Sequence, residues 1–195
     1  QPVNSGHQCA TNRINHLGTD VQNENTLVIA IESEIRAYKG EGDKEIVDDV
    51  AHVVITRNGF SVSSISSAIP VPVEYYEQAK KASDPENPNK TLGLTITAGA
   101  MIEKAHPEVK ANNWMADPRF GGIDRSKQIV EAVKDALKKV YICSLVALYN
   151  DFPKPGVMFR EIQPVLSDPT GFRYISETLK YAICSKGWDK KANKI

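Results

Sequence analysis

The chain is poor in the features that would settle a function at sight. Of its 195 residues only three are cysteine, Cys9, Cys143 and Cys184, set far apart and without a CxxC or Cys/His ligand spacing. Neither a disulfide framework nor a zinc site is indicated by that pattern. Net charge is lacking too: 24 basic residues balance 24 acidic ones, which argues against nucleic acid and against an anionic membrane surface as partners. No apolar run reaches the roughly 18 residues that a membrane-spanning helix needs, so no membrane insertion is expected. The polar start QPVNSGHQ does not read as a secretion signal. With so few cysteines, the expectation is a cytoplasmic protein.

What is present is an alternation of strand and helix signals. TLVIAIESEI at 26–35 is a β-branched apolar run suited to a buried strand. Inside it lies Glu32, a carboxylate that must reach solvent or find a partner, because burying it alone is costly. AHVVIT at 51–56 and FSVSSISSAI at 60–69 flank Arg57-Asn58-Gly59, and an Asn-Gly pair takes the positive φ angles of a tight hairpin. Pro70 and Pro72 cannot donate to a ladder, so the second strand ends there.

VEYYEQAKKA from 73 predicts a short helix, DPENPNK a loop, and TLGLTITAGA at 91–100 a further strand. The Thr97-Ala98-Gly99 turn would bring backbone amides to the start of a helix, a geometry that suits an anion or a plain packing turn. From Asp124 onward Ile129, Val130, Val133, Ala136, Leu137 and Val140 recur at helical spacing, with Asp124 or Ser126 as the cap. Pro153, Pro155 and Gly156 stop any continuation. A last helix fits Pro169 to about Cys184, with Asp168 as N-cap and Gly187 near its end. This order indicates a mixed α/β domain and a smaller appendage, with a boundary near 142–150.

Several short motifs carry a resemblance. QPVNSGHQCATNRI, VIAIESEI, SAIPVPVEYYEQAK and LTITAGAMIEK resemble, in order, segments of the inosine/xanthosine triphosphatase family, the non-canonical purine nucleoside triphosphate phosphatases. The likeness is greater to an offshoot of that family, the C-terminal domain of proline-rich coiled-coil protein 1, through IPVPVEYYEQA, GLTITAGAMIEK and NNWMADPRFGGIDRSKQI. For residues 1–141 the resemblance implies a three-layer α/β fold around a mixed sheet, often assembled as a homodimer. It also implies a magnesium or manganese ion bridging a purine nucleoside triphosphate, with Glu32 as metal ligand and catalytic carboxylate. Arg13, Thr97, Gly99 and Arg125 would lie at the phosphates. Ala100 and Glu103 stand where that family carries a lysine and an arginine, and its Thr-x-Asn-x-x-Lys phosphate loop has no match in this sequence. Those departures support a second reading, a non-catalytic binding or scaffold protein.

Residues 142–195 form the appendage. Within it DFPKPGVMFREIQPVLSDP at 151–169 resembles the opening segment of adenine phosphoribosyltransferases, and the likeness runs over about 142–187. It implies purine salvage, with Val157, Phe159 and Arg160 lying over a purine base. The acidic pair and Thr-Gly-Gly-Thr-like turn that cradle the ribose donor's phosphate in such enzymes are absent. Phosphoribosyl transfer is therefore not expected of this sequence by itself. The packing alternative is that Phe152, Val157, Phe159, Ile162 and Val165 cover apolar surface.

Overall fold

The computed structural model describes residues 6–17, 26–57, 60–83 and 94–186. They belong to two compact units, residues 1–140 and 141–195. In the first, α1 (Gly6–His16) precedes β1 (Val28–Lys39), β2 (Glu45–Arg57), β3 (Phe60–Ile65) and the two-residue β4 (Ile69–Pro70). β2 is central, with β1 on one side and β3 and β4 on the other.

All of these pairings are antiparallel, which corrects, for the described residues, the mixed sheet that the resemblance implies. The cause is connectivity: consecutive strands are joined by links too short to carry the crossover that a parallel pair requires. The stretch 60–69 is also two strands, because the register against β2 slips by one residue between Ile65 and Ile69.

Successive side chains of a strand point to opposite faces, and the register of β1 on β2 fixes which residues share one. Ala30, Glu32, Glu34, Arg36 and Tyr38 lie on one face with Val54, His52, Val50 and Asp48. Ile29, Ile31, Ser33 and Ile35 lie on the other with Ile55, Val53, Ala51 and Asp49. α1 covers the first face through Ala10 and Ile14, four residues apart, which pack on Ala30 and Val54. α4 (Arg125–Leu145) covers the second, its Ala132, Ala136 and Val140 packing on Val53 and Ile55.

Around Val47, at one end of that second face, α2 (Val73–Ala82), α3 (Ala98–Ala105) and a single turn at Trp114–Ala116 close a further core with Ile69, Ile102 and Trp114. Helices on both sides of one sheet make this an α/β unit.

Residues 94–97 are not strand, contrary to the expectation for 91–100. Ile96 N–H donates to Ser83 Oγ at the end of α2 rather than to a ladder, and Thr97 Oγ1 caps α3 by accepting from Ala100 N–H at 3.2 Å. Asp124, not Ser126, caps α4, accepting from Ser126 N–H at 2.8 Å. The Asn58-Gly59 turn, the loop at 84–90, residues 91–93 and Gly187 lie outside the described residues. Arg57 and Phe60 pair on either side of that turn.

The second unit contains β5 (Ala147–Asn150), β6 (Met158–Glu161), α5 (Gln163–Ser167) and α6 (Pro169–Ser185). β5 and β6 form an antiparallel pair. Gly156, at φ 80°, folds the connecting loop back so that its N–H donates to Asp151 Oδ1 at 2.7 Å. Asp168 caps α6 as expected, accepting from Gly171 N–H at 2.7 Å and from the Tyr141 hydroxyl at 2.9 Å. Among the described hydrophobic side chains of this unit, Val165 alone is buried.

Candidate functional site

α1 presents Ile14 to the sheet, which sets the neighbouring Arg13 at the helix flank above β1. There its guanidinium forms an ion pair with Glu32. The Glu32 side chain is 18% exposed against 70% for Arg13, so the carboxylate is the enclosed partner. Glu32 Oε1 is buried and the Arg13 contact is one of charge rather than an aligned hydrogen bond.

Two residues along the same face, Glu34 Oε2 lies 2.5 Å from His52 Nε2. The His7 ring stands edge-on to His52 at 6.4 Å. Gly6 makes this approach feasible, since a Cβ there would lie 2.6 Å from His52 Cδ2. Farther along, the Tyr38 hydroxyl donates to Asp48 Oδ2 at 2.7 Å, and that bond raises the pKa of the phenol. Arg36 Nη2 is 3.8 Å from the same oxygen. The face beside and beneath α1 thus carries a row of ionisable groups held by one another.

Arg125 belongs to the opposite face. Its Nη1 donates to Asp49 Oδ1 at 2.8 Å, its Nη2 to Ser33 Oγ at 2.5 Å, and Met115 Sδ lies 3.7 Å from Nη1. Burial pushes the Asp49 carboxyl up and the Arg125 charge pulls it part of the way back. Because Glu32 and Ser33 are adjacent in an extended strand, the sheet itself stands between Glu32 and Arg125. Thr97 Oγ1 is occupied as the α3 cap. Gly99 is buried, and a Cβ there would strike the Ala111 carbonyl oxygen and Trp114, which accounts for a glycine by packing alone. Glu103 pairs with Lys110 at 3.5 Å.

Of the residues expected at a phosphate site, the fold therefore brings Arg13 and Glu32 together and sets Arg125 on the other face of the sheet. Among the described residues no group of three His, Cys, Asp or Glu is placed to hold a metal ion. Magnesium commonly takes one or two carboxylates and completes its shell with water and substrate phosphates. The enclosed Glu32, with one oxygen lacking an aligned donor, fits a shared ion of that kind but not a protein cage.

In the second unit Phe159 pairs across the strands with Tyr149, with ring centroids 6.4 Å apart, and meets Phe152 at 5.2 Å with the ring planes tilted by 57°. Arg160 pairs with Leu148 and, by alternation, points to the opposite face of the two-stranded ribbon from Phe159. Val157 lies in the loop, its N–H donating to the Lys154 carbonyl at 3.2 Å. These three residues do not converge on one side.

Glu34, His52, Asp48 and Asp49 escape a reading of the sequence. Their signal lies in register rather than residue type: once β1 is set against β2, Glu32 falls opposite His52 and Arg36 opposite Asp48.

No protein-family model matches the chain, and no solved structure matches it. Adenine phosphoribosyltransferases of Francisella tularensis subspecies novicida, tularensis and holarctica are each 47% identical to it over 47 residues. That stretch is 24% of this chain and 27% of each relative, so the chain spans about a quarter of the length of the curated relatives it matches. The match supports a likeness to adenine phosphoribosyltransferases over a segment of that length. No helix among the described residues is long and apolar enough to cross a membrane.

Proposed function

We propose that the chain acts in purine nucleotide metabolism, its first unit a nucleoside-triphosphatase-like domain and its second a partial adenine-phosphoribosyltransferase-like segment. The observation that carries the reading is the Arg13–Glu32 pair at the sheet surface. A cation and a carboxylate that neutralise each other in the free protein can each exchange partner when a metal-bound triphosphate arrives. Arg13, mostly exposed, would take a phosphate oxygen, and Glu32 would hold the magnesium or manganese that accompanies it. That ion would supply Lewis-acid polarisation of a phosphoryl oxygen. His52, held by Glu34, packs against Gly6 and the His7 ring at the start of α1.

The test is phosphate release from inosine, xanthosine and ordinary purine triphosphates with magnesium or manganese, with and without added pyrophosphatase. Metal-dependent turnover is expected, with Glu32→Ala losing at least about 100-fold, the scale of removing a charge-stabilising group. A flat panel leaves the second reading, a binding or scaffold protein without catalysis. Three observations favour that alternative: Arg125 is locked to Asp49 and Ser33, Thr97 is occupied as a cap, and Glu103 already holds Lys110.

A further inference from the structure

In the hydrolysis proposed above Arg13 meets a phosphate and Glu32 a metal ion, and the attacking water still has to lose a proton. Across the strands from Glu32 stands His52, its directly opposed partner in the register and on the same face of the sheet. Such pairs bring their Cβ atoms to about 5 Å of each other. His52 is enclosed, its side chain 14% exposed, and so is Glu34 at 18%. Nε2 of His52 lies 2.5 Å from Glu34 Oε2, and because a carboxylate only accepts, that nitrogen carries the proton. The lone pair of the neutral ring is then on Nδ1, which has no hydrogen-bond partner among the described residues. Little freedom is left to the ring: a Cβ on Gly6 would meet its Cδ2 at 2.6 Å, so α1 begins directly against it, and the His7 ring stands edge-on. One nitrogen anchored by a carboxylate and the other left open is the arrangement of a general base oriented by a third group.

We infer that His52 is the general base of that hydrolysis and that Glu34 is the residue which positions it. The inference rests on the phosphatase reading of the first unit and adds the group that activates water. As the water oxygen forms its bond to phosphorus, His52 Nδ1 takes one of the water's protons. The bond between that phosphorus and the leaving phosphate oxygen breaks, and its electron pair departs on that oxygen. The positive charge that develops on the ring faces Glu34, and the enclosure of both side chains strengthens their attraction. The proton then passes to solvent, which returns the ring to its neutral form. Two carboxylates on one face of β1 thus have different tasks, set by what each is tied to: Glu32 to the exchangeable Arg13, Glu34 to the base.

Steady-state kinetics of the full chain test it, on the purine triphosphate that the wild type hydrolyses fastest with magnesium, alongside His52→Gln and Glu34→Gln, with circular dichroism to establish folding. His52→Gln is expected to lower kcat about 100-fold or more, the scale of general-base catalysis, with KM little changed, because the base acts in the transition state rather than in binding. Glu34→Gln keeps the imidazole but loses its charged anchor, and is expected to give a smaller loss that again falls on kcat. Imidazole nitrogen NMR reads the same arrangement without turnover: His52 is expected in the Nε2–H form, with its Nε2 signal displaced in Glu34→Gln. A wild type that hydrolyses none of the triphosphates overturns the phosphatase reading and this inference together. His52→Gln with the kcat of the wild type, a loss confined to KM, or a proton resident on His52 Nδ1 overturns the inference and leaves the phosphatase reading standing. Should His52→Gln fail to fold, Glu34→Gln and the nitrogen spectrum of the wild type decide.

Discussion

The two units differ in how they hold themselves together. The first buries hydrophobic side chains from β1, β2, β4 and each of α1 to α4, in clusters around Ile102, Val54 and Ile55, with Val62 of β3 partly buried against the last. The second leaves Tyr149, Phe152, Met158, Phe159, Ile162, Phe172 and Leu179 between 41% and 58% exposed and, among its described hydrophobic residues, buries only Val165. The likeness to a known enzyme covers 47 residues of the chain, and no family model matches it. Sequence likeness and an independent core are therefore separate properties here.

The largest effect expected from that contrast is at Arg125. Arg125→Met leaves the Asp49 carboxylate, 12% exposed at its side chain, without its cation, and costs about 3–5 kcal/mol at pH 7. Burial already raises the Asp49 pKa, and loss of the arginine raises it further. A carboxyl whose folded pKa lies above its unfolded value favours the folded state below that range and loses the benefit as pH rises through it. The deficit of Arg125→Met therefore shrinks on acidification, and a thermal-melt series against pH reads it. A deficit that stays constant, or grows as pH falls, would break the claim that this buried pair ties α4 to the sheet.

A paired comparison comes next. Ile102→Ala, in a fully buried site of the first unit, should cost about 2–5 kcal/mol in denaturant unfolding. Phe159→Ala removes a larger side chain from the second unit yet should cost under about 1 kcal/mol, because the ring is 41% exposed and its partners Tyr149 and Phe152 are exposed as well. Equal losses at the two positions would show that the second unit has a core after all.

How much of this was legible beforehand follows the same division. The apolar runs at 26–35 and 51–56 and the helical spacing from Asp124 indicated β1, β2 and α4, and the Asp-Pro pair at 168–169 indicated the start of α6. What stayed hidden was whatever depends on two distant segments meeting. The expected strands end at Ile35 and resume at Ala51, yet Arg36, Tyr38, Asp48 and Asp49 extend both, with Asp48 accepting from Tyr38 and Asp49 from Arg125. The stretch Thr95-Ile96-Thr97 has strand composition and is instead drawn to Ser83 and the start of α3. Motif resemblance likewise set Glu32 and Arg125 at one phosphate site, but alternation along β1 places Ser33, not Glu32, on Arg125's side of the sheet.

The smallest expected effect concerns acid sensitivity. Over the Ile102 core the loop at 117–120 is held by Arg119, which donates from Nε and Nη2 to the two Asp117 oxygens, both at 2.8 Å, and from Nη2 to Glu108 at 2.8 Å. These bonds, with the Arg119 amide, hold the Asp117 carboxyl down at about 2 against an ordinary 3.8. A carboxyl lowered in the folded state contributes stability above its unfolded pKa and loses it as pH falls through the folded one. Asp117→Asn should therefore flatten the melting curve of the first unit against pH between 3.8 and about 2 and leave it nearly unchanged at neutrality, where an exposed pair contributes little. Asp168 in the second unit is lowered in the same direction, chiefly by the Gly171 amide. Without a core that melts cooperatively, Asp168→Ala should alter the helix signal of α6 but not that transition. If Asp168→Ala reshapes the acid limb and Asp117→Asn does not, the stability of the chain resides in the second unit, and the contrast between the units is reversed.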